Sequence, residues 1–287
     1  MNKKESILVV GASGFLGQQI VKLLETQQNV IYTHYRNPLF PDSIRFDFFN
    51  DDIRYILDKQ QVGAIIFASA VEMNNQLDKV RYSMERFARA CEDRRIVYLS
   101  SDGIFEGVKG LYSEKDSPNP QTTYGKNLAI CEGIIGSYCN NFCIVRPSYI
   151  YGFSNGTLDS RLKKTKSVLE SGGTVTLFND MFKSPLGVKQ IASAVIHLTW
   201  LDFAGVVHVA GKRLSVYEFH RRAMSALNVD ITHLNGCQMP IKKGFLRDTS
   251  LDSSLWQQLT GTRPCDIKKT LLQECAALGN DSGDGLS

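Results

Sequence analysis

The sequence predicts an α/β fold, a doubly wound parallel sheet with a smaller C-terminal α/β lobe. Three observations predict it. A buried apolar run meets a glycine turn and then a helix-period segment at the N-terminal end of the chain. Strand-like and helix-like segments go on alternating through the first half. The texture changes at Arg146-Pro147, beyond which loops lengthen and apolar runs shorten.

The first strand is expected at 6–10, ahead of Gly11-Ala12-Ser13-Gly14-Phe15-Leu16-Gly17 and a helix over 15–28. Strand, tight glycine turn and helix N-terminus together make a dinucleotide-phosphate site. Gly11 permits the turn, Gly14 lets backbone N–H groups approach a pyrophosphate, and Gly17 lets helix and strand pack closely. Further strands are expected at 30–35, 44–47, 63–69, 95–100 and 142–146, with helices at 51–60, 74–92 and 122–139. Strands at 174–178 and 205–209 and helices at 157–171, 188–202, 215–227 and 266–277 follow. Residues 1–150 then read as an NADP(H)-binding Rossmann domain with contributions from part of 180–210. Residues 151–278 read as a substrate-binding lobe and 279–287 as a disordered tail.

Composition excludes several classes. Hydrophobic residues at 43% and charged ones at 22% are ordinary for a globular protein. The net charge of +4 is small, and basic pairs such as Lys163-Lys164 and Lys268-Lys269 read as solvated helix faces, so no nucleic-acid partner is expected. No apolar run approaches the ~20 residues that span a bilayer, so no membrane partner is expected either. Met1–Glu5 runs directly into the first strand and leaves no room for a signal peptide, which makes a cytoplasmic location the default. The seven cysteines are odd in number and form no C-x-x-C pair, so neither a disulfide framework nor a metal site is expected.

The cofactor preference turns on the end of the second strand, Ile31-Tyr32-Thr33-His34-Tyr35-Arg36-Asn37. It carries no carboxylate for a ribose 2′-OH, and Arg36 stands where a guanidinium can take a 2′-phosphate. NADP(H) is therefore favoured over NAD(H); the competing reading makes Arg36 a solvated loop residue. Asp47 lies at the carboxyl edge of the third strand. It either accepts a hydrogen bond from an adenine amino group or caps the turn toward Asp51 and Asp52, which read as structural. The candidate cofactor residues are Gly11, Ser13, Gly14, Phe15, Leu16, Gly17, Arg36, Asp47, Phe48, Ala68, Ser69, Ala70 and Tyr124.

The strand at 95–100 ends in hydroxyls, Ser100-Ser101-Asp102, and Tyr124 opens the helix at 122–139. A hydroxyl and a tyrosine at a nicotinamide can reduce a ketone, the phenol giving its proton while the serine polarises the carbonyl. Taken alone, Tyr124 reads better as an amphipathic residue covering a helix start.

The chain resembles the extended short-chain dehydrogenase/reductases, and within them the dTDP-4-dehydrorhamnose reductase family. The resemblance is carried by G-A-S-G-F-L-G at 11–17, S-S-D-G-I-F-E-G at 100–107, Y-G-K at 124–126 with Glu132, and R-P-S-Y-I-Y-G at 146–152. S-P-L-G-V-K-Q-I-A at 184–192 and R-D-T-S-L-D at 247–252 complete it. It implies reduction of a 4-keto-6-deoxy nucleotide sugar, with Tyr124 and Ser101 catalytic. It places Asp102, Arg146, Tyr149 and Arg247 as candidate substrate contacts.

Two departures stand out. The family's Y-x-x-x-K lysine falls on Leu128, and Lys126, two positions from Tyr124, is expected to face away from it. Gly103 replaces an aromatic residue and is expected to widen the site. The lost lysine leaves two readings open: a slow reductase, or a retired NADP(H)-binding regulatory subunit. The latter is similar in role to the beta subunit of methionine adenosyltransferase and works with a heteromeric enzyme partner. A homodimer is the other assembly considered. Lys183-Ser184-Pro185 reads as a helix entry, His197 and His208 as packed histidines, and Trp200 and Trp256 as core or interface anchors.

Overall fold

The computed structural model describes residues 6–26, 29–240 and 246–281. Six strands, β1 (Ser6–Val10), β2 (Val30–His34), β3 (Ile44–Arg45), β4 (Val62–Phe67), β5 (Arg95–Leu99) and β6 (Phe142–Pro147), form a parallel sheet with strand Gly205–Val209. Their order is β3-β2-β1-β4-β5-β6, with Gly205–Val209 outside β6. The order reverses at β1, so the crevice beyond the carboxyl ends of β1 and β4 is where such a sheet takes a ligand.

Period-two alternation divides the core between the two faces. Ile7 and Val9 of β1 pack on one face with Leu16, Ile20 and Leu24 of α1 (Phe15–Leu24). Leu8 and Val10 pack on the other with Val80, Met84 and Phe87. Those three are spaced i, i+4, i+7 on α3 (Leu77–Ala90), which makes one apolar stripe. α2 (Arg54–Leu57) and α4 (Thr123–Tyr138) cover the same face as α3. α2 is much shorter than the helix expected over 51–60, and Asp51 and Asp52 lie in the turn before it: Asp51 Oδ2 accepts from the Asp47 N–H and Asp52 Oδ1 from the Arg54 N–H.

The later chain does two things. A third core cluster gathers Tyr151, Leu162, Phe219, Leu234 and Leu271 from α5 (Ser160–Glu170), α7 (Val216–Ala226), α9 (Ile267–Asp281) and strands between them. By contrast α6 (Val188–Trp200), strand Gly205–Val209 and Trp256 of α8 (Ser254–Thr260) return to the first core. Strand 205–209 therefore belongs to the main sheet, beside β6. α9 continues through Asp281, into the stretch expected to be disordered; 282–287 lie outside the described residues. Trp256 is buried in the core, Trp200 is exposed, and His197 is exposed rather than packed. Among the described residues no helix is long and apolar enough to cross a membrane.

Candidate active site

The glycine turn is built against two neighbours. Gly11 has φ +87, and a Cβ on it would stand 2.7 Å from Ser69 Cα. Its N–H donates to Thr33 Oγ1 (3.2 Å) and the Ala12 N–H to the Thr33 carbonyl (3.0 Å), so β2 fixes the turn. A Cβ on Gly17 would overlap the Gly11 carbonyl oxygen and lie 3.0 Å from Ala12 Cα. Gly17 is thus the packing glycine and does not face the cavity. α1 opens at Gly14 with no side-chain cap and no acidic residue in its first turn, leaving its leading N–H groups without intrahelical partners.

Beyond that turn lies a cavity of about 400 Å³. Gly11, Ser13, Gly14, Phe15, Leu16, Asp47, Phe48, Ala68, Ser69 and Ala70 all line it, which brings together nearly every expected cofactor residue. The Asp47 carboxylate is engaged in its own turn and does not cap α2. It lines the cavity while Oδ1 accepts from the Phe49 N–H (3.0 Å) and Oδ2 from Asn50 Nδ2 (2.7 Å). Arg36 lines a neighbouring hollow with Ser13, Tyr35, Asn37 and Leu39, its exposed guanidinium 5.1 Å from the Tyr35 ring centre. Thr33 and His34 also line the main cavity. Reading the sequence missed Thr33, whose role depends on a contact 22 residues away. Among the described residues no cluster could hold a metal ion.

The reacting end lies at the carboxyl edge of β5 and the start of α4. Thr122 caps α4 by accepting from the Gly125 N–H (3.0 Å), which sets Tyr124 in the first turn. The Tyr124 ring and the Ser101 hydroxyl both lie over Gly103, where a Cβ would stand 3.7 Å from Ser101 Oγ. Burial, then the Glu72 carboxyl, push the Tyr124 phenol up to about 12, with Asp102 adding to the rise. Gly103 does not widen the site. A Cβ there would stand 3.0 Å from Tyr124 Cε1, so glycine is what lets the phenol ring pack against this turn.

Position 128 is apolar in its surroundings as well as its side chain. Leu128 is 1% exposed and packs with Ile104, Phe105, Tyr112 and Leu251, while Lys126 is exposed. Asn127, fully buried, donates to the carbonyls of Glu72 (2.9 Å) and Asn74 (2.7 Å) and so pins α4 to the turn after β4. The Glu72 carboxyl accepts from Tyr98 Oη, and burial raises it to about 7.

Two expected substrate contacts are engaged internally instead. Arg146 is 3% exposed, and its Nε and Nη2 donate to Glu132 at 2.8 and 2.5 Å. Glu132 also accepts from Ser100 (2.5 Å), and Arg146 Nη1 lies 3.4 Å from His208 Nε2. This network sits beneath the sheet edge, and with burial it holds His208 down to about 4, a neutral packed histidine as expected. Asp102 is buried with both oxygens occupied: Oδ1 accepts from Ser101 (3.1 Å), and Oδ2 from Ser148 (3.1 Å), Lys183 (2.8 Å) and Thr249. Asp102 therefore organises the site from within. Tyr149, at φ 44, lies under the Arg161 guanidinium (4.1 Å) and edge-on to Phe219. Arg247 is exposed, 3.5 Å from Asp180, beside a segment outside the described residues.

The family model for the RmlD substrate binding domain matches residues 5–278. The chain belongs to that family, one of NAD(P)-dependent reductases. Among RmlD relatives, the probable low-salt glycan biosynthesis reductase Agl14 of Haloferax volcanii is 26% identical over 249 residues, 80% of this chain and 83% of its own. The spore coat polysaccharide biosynthesis protein SpsK of Bacillus subtilis is 28% identical, covering 80% and 82%. Methionine adenosyltransferase 2 subunit beta of Danio rerio is 21% identical, covering 79% and 76%. The dTDP-4-dehydrorhamnose reductase of Bacillus anthracis, solved in complex with NADP, superimposes with a TM-score of 0.81 at 19% identity, covering 96% and 99%; it bears on the fold.

Proposed function

We propose that the protein is an NADPH-dependent reductase of the 4-keto group of a 6-deoxy nucleotide sugar. The observation that carries this reading is the Tyr124 ring and the Ser101 hydroxyl together over Gly103, on the same sheet edge as a cavity formed by an uncapped glycine turn. The uncapped start of α1 at Gly14 faces the cavity with free N–H groups and no acidic residue, so the turn fits a dinucleotide pyrophosphate. The first-turn N–H groups of α1 would hold the pyrophosphate, Asp47 and Phe48 the adenosine end, and Arg36 the 2′-phosphate. Ala68, Ser69 and Ala70 form the wall along the cofactor. Bound NADPH supplies the hydride. Ser101 Oγ–H polarises the substrate carbonyl and Tyr124 Oη–H gives its proton to the forming alkoxide. Burial keeps that proton on Tyr124 at neutral pH, so the phenol stands ready as a general acid.

A second reading is favoured by Leu128 and by the methionine adenosyltransferase beta relatives: an NADPH-binding regulatory subunit without turnover. One experiment separates them. NADPH and NADH are titrated into the protein, and turnover is followed on dTDP-linked 4-keto-6-deoxyhexoses. The reductase reading expects NADPH to bind more tightly than NADH and Tyr124→Phe to cut turnover by about 10²–10⁴-fold with NADPH affinity unchanged. NADPH binding without turnover by the parent selects the regulatory reading. Binding of neither nucleotide rejects both.

A further inference from the structure

No lysine or arginine on α4 reaches Tyr124 at the family's position, because residue 128 is a buried leucine and Lys126 is exposed. The carboxyls beside the phenol, Glu72 and Asp102, both raise it. A positive charge nevertheless arrives by another route. Strand Phe182–Lys183, paired with Leu214–Ser215, delivers Lys183 to the rim of the site, where its side chain is 11% exposed. Lys183 Nζ donates to Asp102 Oδ2 (2.8 Å) and Thr249 Oγ1 (2.5 Å), and Thr249 itself donates to Asp102. Ser101 donates to Asp102 Oδ1 (3.1 Å), and its hydroxyl shares the surface over Gly103 with the Tyr124 ring. Hydrogen bonds thus run from the Lys183 ammonium through Asp102 to Ser101, whose hydroxyl lies beside the Tyr124 ring at Gly103.

We propose that Lys183 supplies, through Asp102 and Ser101, the positive charge that Leu128 denies to Tyr124, and so acts as a positioning residue for both catalytic hydroxyls. The proposal rests on the reductase reading. Lys183, Thr249 and Ser148 all converge on Oδ2 and draw the carboxylate's charge toward that oxygen. Oδ1, left with Ser101, then holds the hydroxyl hydrogen weakly, and Ser101 is free to turn its O–H toward a substrate carbonyl. The same ammonium offsets the carboxylate beside the phenol, which would otherwise oppose the tyrosinate left after proton transfer. A lysine on α4 is not required if the counter-charge reaches the tyrosine from the other wall.

The test is steady-state reduction of a dTDP-4-keto-6-deoxyhexose, with NADPH affinity and thermal midpoint measured on every variant. Lys183→Met is expected to lower kcat about a hundredfold or more while KM and NADPH affinity change little. Lys183→Arg, which keeps the charge, is expected to recover most of that loss. Asp102→Asn should match Lys183→Met, and the double variant should fall no further, since both break one chain. Thr249→Val is the milder perturbation should Lys183→Met not fold, with an expected fall of about tenfold in kcat. Unchanged kcat in Lys183→Met or Thr249→Val, with the parent active, overturns the proposal and leaves the reductase reading standing. A silent parent that binds NADPH and gains turnover on Leu128→Lys overturns both, because Lys183 then fails to supply what position 128 lacks.

Discussion

The two ends of the cleft are built on different principles. At the cofactor end, Gly11 to Gly17 form one continuous turn that Thr33 and Ser69 fix, and residues 33–35, 46–49 and 68–71 complete the cavity wall. At the reacting end, Ser101, Tyr124, Ser148, Lys183 and Thr249 come from five separate segments and meet at or beside Asp102. A site written in contiguous backbone leaves little room for exchange, since each glycine answers to a specific neighbouring atom. A site assembled from distant side chains can lose one member and draw the same charge from elsewhere. The sharpest way to break this comparison is at Gly17. Gly17→Val places carbon into the Gly11 carbonyl, a backbone atom that cannot step aside, and removes measurable NADPH binding in a titration. Retained binding would mean that the turn tolerates more than its geometry implies.

The reacting end carries a second group that separates the two ends by pH. Glu72, buried under the turn after β4, holds its proton up to about pH 7, against 4.5 for the ordinary carboxyl, with burial as the main cause. Folding therefore takes up a proton between those values. The stability this group contributes is complete below 4.5 and lost as pH rises through 7. At about 1.4 kcal/mol per unit the loss is about 3 kcal/mol, an order-of-magnitude figure. Glu72→Gln keeps an acceptor for Tyr98 Oη and has no charge to bury, so its thermal midpoint should hold from pH 5 to 8 while the parent's falls. Parallel curves for the two proteins would show that Glu72 ionises without cost, through a partner the fold does not provide.

The cofactor end was legible in the sequence because its determinants are adjacent and their spacing is the signal. The same is true of β1, β2, β4, β5 and β6, whose apolar runs alternate between two cores. What escaped depended on partners far along the chain. Nothing near Gly205–Val209 says that it pairs with β6, and Arg146 reads as either a phosphate contact or a structural residue until Glu132 is seen beneath it. Lys183 reads as a helix entry because its ligands, Asp102 and Thr249, lie 81 and 66 residues away. A cation just before the apolar entry to α6, in a chain whose expected lysine was missing, was the one signal that could have pointed to it.

The smallest expected effect sharpens the comparison where the cofactor end turns from backbone to side chain. Arg36 is exposed, stacks on Tyr35 and lines the hollow next to the main cavity, with no acidic partner competing for its guanidinium in that hollow. Its contribution comes from a solvated charge rather than from packing, and solvent screening keeps such a contact modest. Arg36→Ala should weaken NADPH binding by about tenfold and leave NADH binding where it is, since only the 2′-phosphate distinguishes the two. The loss should shrink as salt is raised, because an exposed ion pair weakens with screening and a steric contact does not. Equal weakening of both nucleotides would instead mean that Arg36 holds up the loop after β2, and the preference for a phosphorylated ribose would then have to be sought at His34 or Ser13, which line the same stretch of wall.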